Sequence, residues 1–304
     1  MHSMEEEAHD KYLLAGRIAA RVMEQALRKI KPGRKLLELA NFVESEIVEL
    51  GARPAFPVNI SVNEIAAHYS PTAWDSSAFE KGDLVKLDIG VHIDGYIADI
   101  ARSVVVGGGE NELIRASEEA LCRAIEVIKP GVKTSEIGAI VEKTIRSYGL
   151  KPVENLTGHM LSRYSLHSGI TVPNVRTRHG DMLREGDVLA IEPFATSGAG
   201  RVVDEREAII FRYLRDRPLR LKESRIILGY VKDHFGALPF AERWIAHLAP
   251  RHRLHMALRE LAYSGAIYAY KILREKQRAP VAQAEHTVIV TNDGCEVTTR
   301  REEI

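Results

Sequence analysis

Apolar residues recur every three to four positions at Leu36, Leu39, Val43 and Ile47, and again at Ile137, Val141 and Ile145, the period that lays one face of an α-helix on a core. Both stretches belong to a duplicated segment. Residues 30–54 (IKPGRKLLELANFVESEIVELGARP) align without a gap on 128–152 (IKPGVKTSEIGAIVEKTIRSYGLKP), with 11 of 25 positions identical. In each copy Lys-Pro-Gly makes a turn, the helix follows, and a glycine suited to a left-handed cap ends it. A further helical pattern precedes each copy, over about 5–29 and 111–128, so each half opens with a pair of helices.

Apolar and β-branched runs then predict strands over 84–91 and 96–106 after the first pair, and over 188–194 downstream of the second. Between 207 and 273 the pattern turns helical, at 223–235, 240–248 and 252–263, before strands return at 286–290 and 295–299. The expected architecture is an α+β body of two related halves, made by 1–206 together with 274–304, with an inserted helical lobe at 207–273.

Composition alters this picture little. With 45% hydrophobic residues the chain of 304 fills a core, and 42 basic against 42 acidic residues give no overall field toward nucleic acid or anionic membrane. Cys122 and Cys295 lack the spacing of a metal site and read as free thiols. The acidic, polar start lacks the basic and apolar regions of a signal peptide, and no run is long enough for a membrane span, so a cytoplasmic protein is expected.

Candidate chemistry begins in VKLDIGVHIDGYIADIARS, where 85–91 and 96–103 read as hairpin strands around a loop at 92–95. In that register Asp88 falls opposite Asp99 on one sheet face, where two carboxylates repel unless one is protonated or a cation lies between them. The alternative is a different register, with one aspartate a turn residue as Asp94 is beside Gly95. His159 and His167 lie in a stretch without helix period and, singly, read as loop histidines. Glu192 interrupts an apolar strand pattern and Glu285 opens another, each either a strand-end glutamate or a buried ligand. Together Asp88, Asp99, Glu192 and Glu285 carry four negative charges, which two divalent cations cancel. With one imidazole the set is hard and oxygen-rich, suiting manganese, iron or cobalt at least as well as zinc.

The segments FPVNISVNEIAAHYSP (56–71), KLDIGVHIDGYIADIARS (86–103), LTGHMLSRYSLHSGITVP (156–173), AIEPFATSGAG (190–200) and QAEHTVIV (283–290) resemble the type 2 methionine aminopeptidases over nearly the whole chain. FGALPFAERWI (235–245) resembles their inserted helical subdomain, and the short N-terminus resembles the archaeal form. The resemblance implies the pita-bread (creatinase/aminopeptidase) fold, with two pseudo-symmetric halves and a winged-helix-like insertion. It implies Asp88, Asp99, His159, Glu192 and Glu285 as ligands of two divalent metal ions (cobalt, manganese, iron, zinc or nickel), with Glu192 also moving a proton. It makes His68 a catalytic, substrate-contacting histidine and His167 a second one, and it puts Phe56, with Leu166 beside it, on the wall of a methionine pocket. Ala284 departs from the pattern, where a large aromatic residue is expected.

The function implied is removal of the initiator methionine from nascent polypeptides ahead of a small second residue, by a monomer. Proline-specific peptidases of the same fold share the five ligands, and ligand-losing relatives bind ribosomes or RNA instead. The basic run Arg212, Arg215, Arg217, Arg220, Lys222 and Arg225 reads as a solvated face before it reads as a ribosome contact, and no compact recognition helix points to DNA.

Overall fold

A computed structural model describes residues 4–300. Each duplicated segment yields a helix pair: α1 (Glu6–Leu27) with α2 (Leu36–Glu49), and α3 (Glu112–Glu126) with α4 (Thr134–Ser147). The apolar stripes face inward as the spacing requires, Leu39, Val43 and Ile47 into one core and Ile137, Val141 and Ile145 into another.

The duplication extends beyond the helices. Gly33 and Gly131 both adopt positive φ (81° and 88°), and their N–H groups donate to the carbonyl oxygens of Phe79 (2.8 Å) and Leu183 (2.9 Å). Gly82 and Gly186 repeat the device, at φ 92° and 88°, donating to Val106 and Val290 at 2.9 Å each. Glycine supplies this left-handed turn without steric cost. Beyond each of these last turns a strand begins, and Asp88 and Glu192 lie at equal distances from the turn glycine, Asp88 within its strand and Glu192 just past the end of its own.

The first half is built on the hairpin Leu84–Ile93 with Tyr96–Val105, flanked by Asn59–Val62 and Arg53–Pro54 on the far side of Leu84–Ile93. The hairpin register differs from the sequence expectation. Asp94 and Gly95 both have positive φ (49° and 90°) and form a two-residue turn of the type that matches strand twist, so Ile93 pairs with Tyr96. Asp88 therefore pairs with Ala101, and Asp99 with Gly90. A slip of two residues preserves the face, so the aspartates remain on one side as diagonal neighbours.

The second half holds a five-stranded sheet in the order Cys295–Val297, His286–Val290, Val188–Ile191, Thr157–Met160, Thr171–Pro173. The strand expected over 188–194 is interrupted: it ends at Ile191, and Phe194–Thr196 joins a different sheet, with Glu192 and Pro193 between them. A proline that cannot donate to a ladder makes that break.

The segment 207–273 is not wholly helical. Strands Val202–Tyr213 and Ile267–Glu275 form a long antiparallel pair running across both expected boundaries, extended by Pro239–Ala241 on one side and Ile65–Ala67 on the other. Helices α5 (Lys222–His234) and α6 (Arg251–Tyr263) pack on this sheet around Ile227, Val231, Phe240, Leu254 and Leu261. The helix expected at 240–248 is a short strand followed by a 3₁₀ turn, Glu242–Leu248. That turn is pinned to the first half by a buried ion pair between Arg243 and Glu44. Trp244 Nε1 donates to the same carboxylate at 2.8 Å and Arg243 to Ser70 Oγ at 2.6 Å. Among the described residues no helix is long and apolar enough to cross a membrane, and Cys122 and Cys295 are free.

Candidate metal centre and substrate cleft

Five side chains singled out in the sequence meet at the base of one cleft. Asp88 and Asp99 come from the hairpin, His159 from Thr157–Met160, Glu192 from the chain after Ile191, and Glu285 from the residue before His286. His159 is a central-strand residue, paired with Ala190 and Thr171, not the loop histidine its surroundings suggested. Its Nε2 lies 3.8 Å from Asp99 Oδ2 and 3.5 Å from Glu192 Oε1. Ligand-type atoms of Asp99, His159 and Glu285, all buried, lie within 4.8 Å of one another.

The electrostatics follow from crowding. Burial raises the Asp88 carboxyl to about 7. Burial, then the charges of Asp88 and Glu192, raises Asp99 well above the usual range, and burial with the neighbouring acids does the same to Glu192 and Glu285. His159 moves the opposite way, to about 3, through burial and then the nearby His167. Asp88 Oδ1, Asp99 Oδ1 and Glu285 Oε1 are buried with no hydrogen-bond partner. Unsatisfied acceptors clustered with acids forced to hold protons are what a cation would relieve, and an oxygen-rich set with one imidazole suits a divalent one.

Two strands from different halves are stapled where Asp99 and Glu285 meet. The Glu285 N–H donates to the Ala101 carbonyl oxygen at 2.9 Å. On one side the Thr287 hydroxyl donates to the Asp99 carbonyl oxygen and accepts from the Asp99 N–H, at 2.8 and 2.7 Å. On the other the Ser103 hydroxyl does the same for Gln283, at 2.7 and 2.8 Å.

Above the acids the cleft has a volume of about 300 Å³ and an apolar wall of Phe56, Leu166, Ile210 and Pro239. Phe56 packs on Gly90 so closely that a Cβ there would lie 2.2 Å from its ring. His68 takes φ 64°, rare for a residue with a Cβ. Its Nδ1 is 3.0 Å from the Lys271 carbonyl oxygen and its ring stands edge-on to Tyr270 at 5.5 Å. The ring of His167 lies 4.3 Å from that of His159. Desolvation, then the charges of His68 and Arg212, lowers His167 to about 4.

The structure also brings in residues that sequence reasoning passed over. Gln283 is buried, and its Nε2 donates to Glu285 Oε2 at 3.1 Å and Glu192 Oε2 at 3.4 Å. Tyr270, Ile210, Pro239 and Asn59 line the cleft. One usable signal stood in the sequence: FEKGDLVKLD (79–88) and LREGDVLAIE (183–192) share a Gly-Asp turn and end on an acid, which ties Asp88 to Glu192. Ala284, buried beside Glu285, faces away from the cleft toward a cavity of about 460 Å³ that Met23, Leu121 and Cys122 also line.

A model of metallopeptidase family M24 matches residues 10–292. The methionine aminopeptidase of Thermococcus onnurineus is 51% identical over 286 residues, covering 94% of this chain and 97% of that protein. Among solved structures, that of a thermophilic Arx1 superposes with a TM-score of 0.85 at 19% identity, over 99% of this chain and 93% of that one. The methionine aminopeptidase of Thermotoga maritima superposes with a TM-score of 0.72 at 23% identity, over 99% and 100%. At such identities the superpositions speak to the fold, the two-halved one the resemblance implied, and the sequence match carries the family. A match that runs through both halves and the lobe between them leaves one assignment: the chain belongs to metallopeptidase family M24 and, within it, to the methionine aminopeptidases.

Proposed function

We propose that the protein removes the initiator methionine from new polypeptides as a type 2 enzyme, with two divalent cations held by Asp88, Asp99, His159, Glu192 and Glu285. The observation that carries this reading is the convergence of four acids and one imidazole at the base of an apolar-walled cleft. Manganese, iron, cobalt, nickel and zinc all suit the donor set. Bound there, such cations supply Lewis acidity and a hydroxide nucleophile at neutral pH.

The chain's own groups divide the remaining work. A carbonyl oxygen only accepts, so the contact to Lys271 fixes a proton on His68 Nδ1 and leaves Nε2 as an acceptor for an N–H of the substrate backbone. His167 is then the histidine free to donate to the oxyanion that develops at the first peptide carbonyl. Glu192, a carboxylate at the base of the cleft, is the group placed to take a proton from the attacking water and pass it to the leaving amine. Phe56 and Leu166 close the pocket on the unbranched methionine side chain, and crowding by His68 and Tyr270 favours a small second residue.

The proposed partners are nascent N-termini, with the ribosome as a second, and the proposed working unit is a cytoplasmic monomer. A salt-dependent ribosome pelleting assay tests the ribosome contact. The activity is tested by hydrolysis of Met-Ala-Ser and of a matched Ala-Pro peptide, using metal-stripped protein reconstituted with manganese or cobalt, beside Asp88→Ala and Glu192→Ala. Methionine release that requires metal and both carboxylates supports the reading. Cleavage only next to proline moves the protein to the proline peptidases.

A further inference from the structure

The structure divides the basic run at 212–225. Arg215, Arg217 and Arg220 are exposed, and Arg225 donates to the carbonyl oxygens of Leu219 and Arg220. Arg212 is different: it is half-buried and lies in the strand Val202–Tyr213, two residues beyond Ile210 with no break in register between them. Side chains alternate along a strand, so Arg212 shares the face of Ile210, while Phe211 turns the other way into the core of the lobe. Ile210 and Tyr270 pair across the strands and both line the cleft. The next rung toward solvent is Pro239, Arg212 and Tyr268. Pro239 also lines the cleft, and Tyr268 is 50% exposed, its ring 4.8 Å from that of Tyr270.

Arg212 Nε is buried with no hydrogen-bond partner. Among the described residues no carboxylate forms an ion pair with this guanidinium. Its rung partner Pro239 lines the cleft, which sets Arg212 beside the cleft rim. A guanidinium one rung beyond the cleft wall, with a buried donor and no counter-ion, is poised for a carboxylate, which it binds through paired N–H donors.

We infer that Arg212 is a specificity-determining residue that binds an acidic side chain on the third residue of the peptide substrate. The inference rests on the methionine aminopeptidase reading and adds a subsite to it. One rung spans two strand residues, about 7 Å, and an extended peptide advances about 3.4 Å per residue. A chain whose scissile bond lies over the Ile210–Tyr270 rung therefore brings its third residue to within about half a residue spacing of the Arg212 rung, within reach of the long guanidinium side chain.

The test compares kcat/KM for amidated peptides Met-Ala-Xaa-Gly with Glu, Gln or Lys as the third residue, on metal-loaded wild type, Arg212→Gln, Arg212→Lys and Arg217→Gln. In the wild type Glu is expected to exceed Gln by about fivefold and Gln to exceed Lys by a similar factor, the size of a single partly screened ion pair. The ranking should shrink in high salt, as a screened charge contact does. It should collapse in Arg212→Gln, persist in part in Arg212→Lys, which keeps a charge as a check against misfolding, and persist fully in Arg217→Gln. Equal values for Glu and Gln in the wild type, or an unchanged ratio in Arg212→Gln, would overturn the inference alone. A preference only for Met-Ala-Gln as the free acid over its amide moves the recognised anion to the chain end and overturns the side-chain assignment. If none of these peptides nor Met-Ala-Ser is cleaved, the activity fails and the inference with it.

Discussion

Gln283 shows how much of the centre rests on one uncharged side chain. Its amide carries two N–H donors and spends them on two acids, Glu285 and Glu192. A neutral donor between carboxylates favours their charged forms and holds each in one orientation, while its own backbone is clasped by Ser103. Replacing Gln283 with Leu keeps the apolar bulk and removes both donors. Manganese affinity is expected to fall by roughly 10-fold to 100-fold, as for other partners that orient metal ligands. Isothermal titration of the metal-stripped protein reads this directly, and an unchanged affinity would remove Gln283 from that role.

Between the elements, the decisive contact is the staple joining Tyr96–Val105 to the segment ending in His286–Val290. Backbone pairing at Ala101 and Glu285 is a single bridge, and hydroxyls continue the ladder where strands of different sheets diverge. Thr287 is fully buried, with both bonds of its hydroxyl to the Asp99 backbone. Thr287→Val preserves shape but leaves a buried N–H and C=O without partners, at a cost of about 1–3 kcal/mol. Urea unfolding of the metal-stripped variant should show this loss. An equal stability for variant and wild type would mean that water or a backbone shift replaces the hydroxyl. A second expectation follows from the geometry: Asp99 is carried by that backbone, so metal affinity should fall together with stability.

At the scale of the whole molecule, the two halves bring acids together at a cost in protonation. The Asp88 carboxyl is raised to about 7, and Asp99, Glu192 and Glu285 are raised above their usual range. Acids whose folded pKa lies above the unfolded value favour the metal-stripped fold at low pH. That contribution fades as pH rises from the unfolded pKa through the folded one. Cations must displace those protons, so binding strengthens over the same range. His159, lowered to about 3, adds no proton competition above that value. The stabilisation conferred by a fixed manganese concentration is therefore expected to grow from about pH 5.5 to about pH 8, measured as the difference in thermal midpoint between loaded and stripped protein. A difference that is flat or falls with pH would contradict protonated acids at the centre.

Periodicity revealed the paired helices and the strands in or beside which the acids lie, because a 3.6-residue or two-residue repeat is a local consequence of having one buried face, and the gapless identity match revealed the duplication. Residue chemistry also singled out Asp88, Asp99, Glu192 and Glu285, since an acid in an apolar strand is conspicuous without any partner in view. The hairpin register was not legible to the same degree. It turned on whether Asp94 and Gly95 both take positive φ, and a two-residue slip leaves every side chain on its expected face. His159 looked like a loop histidine because its strand is only four residues long and owes its existence to neighbours remote in the chain, Ala190 and Thr171. Gln283 carried no local mark, and Arg212 carried only its place in a basic run that read as a solvated face. An amide between two glutamates and a guanidinium one rung beyond Tyr270 become meaningful only when strands far apart in sequence lie side by side, and that adjacency is set by long-range packing and pairing.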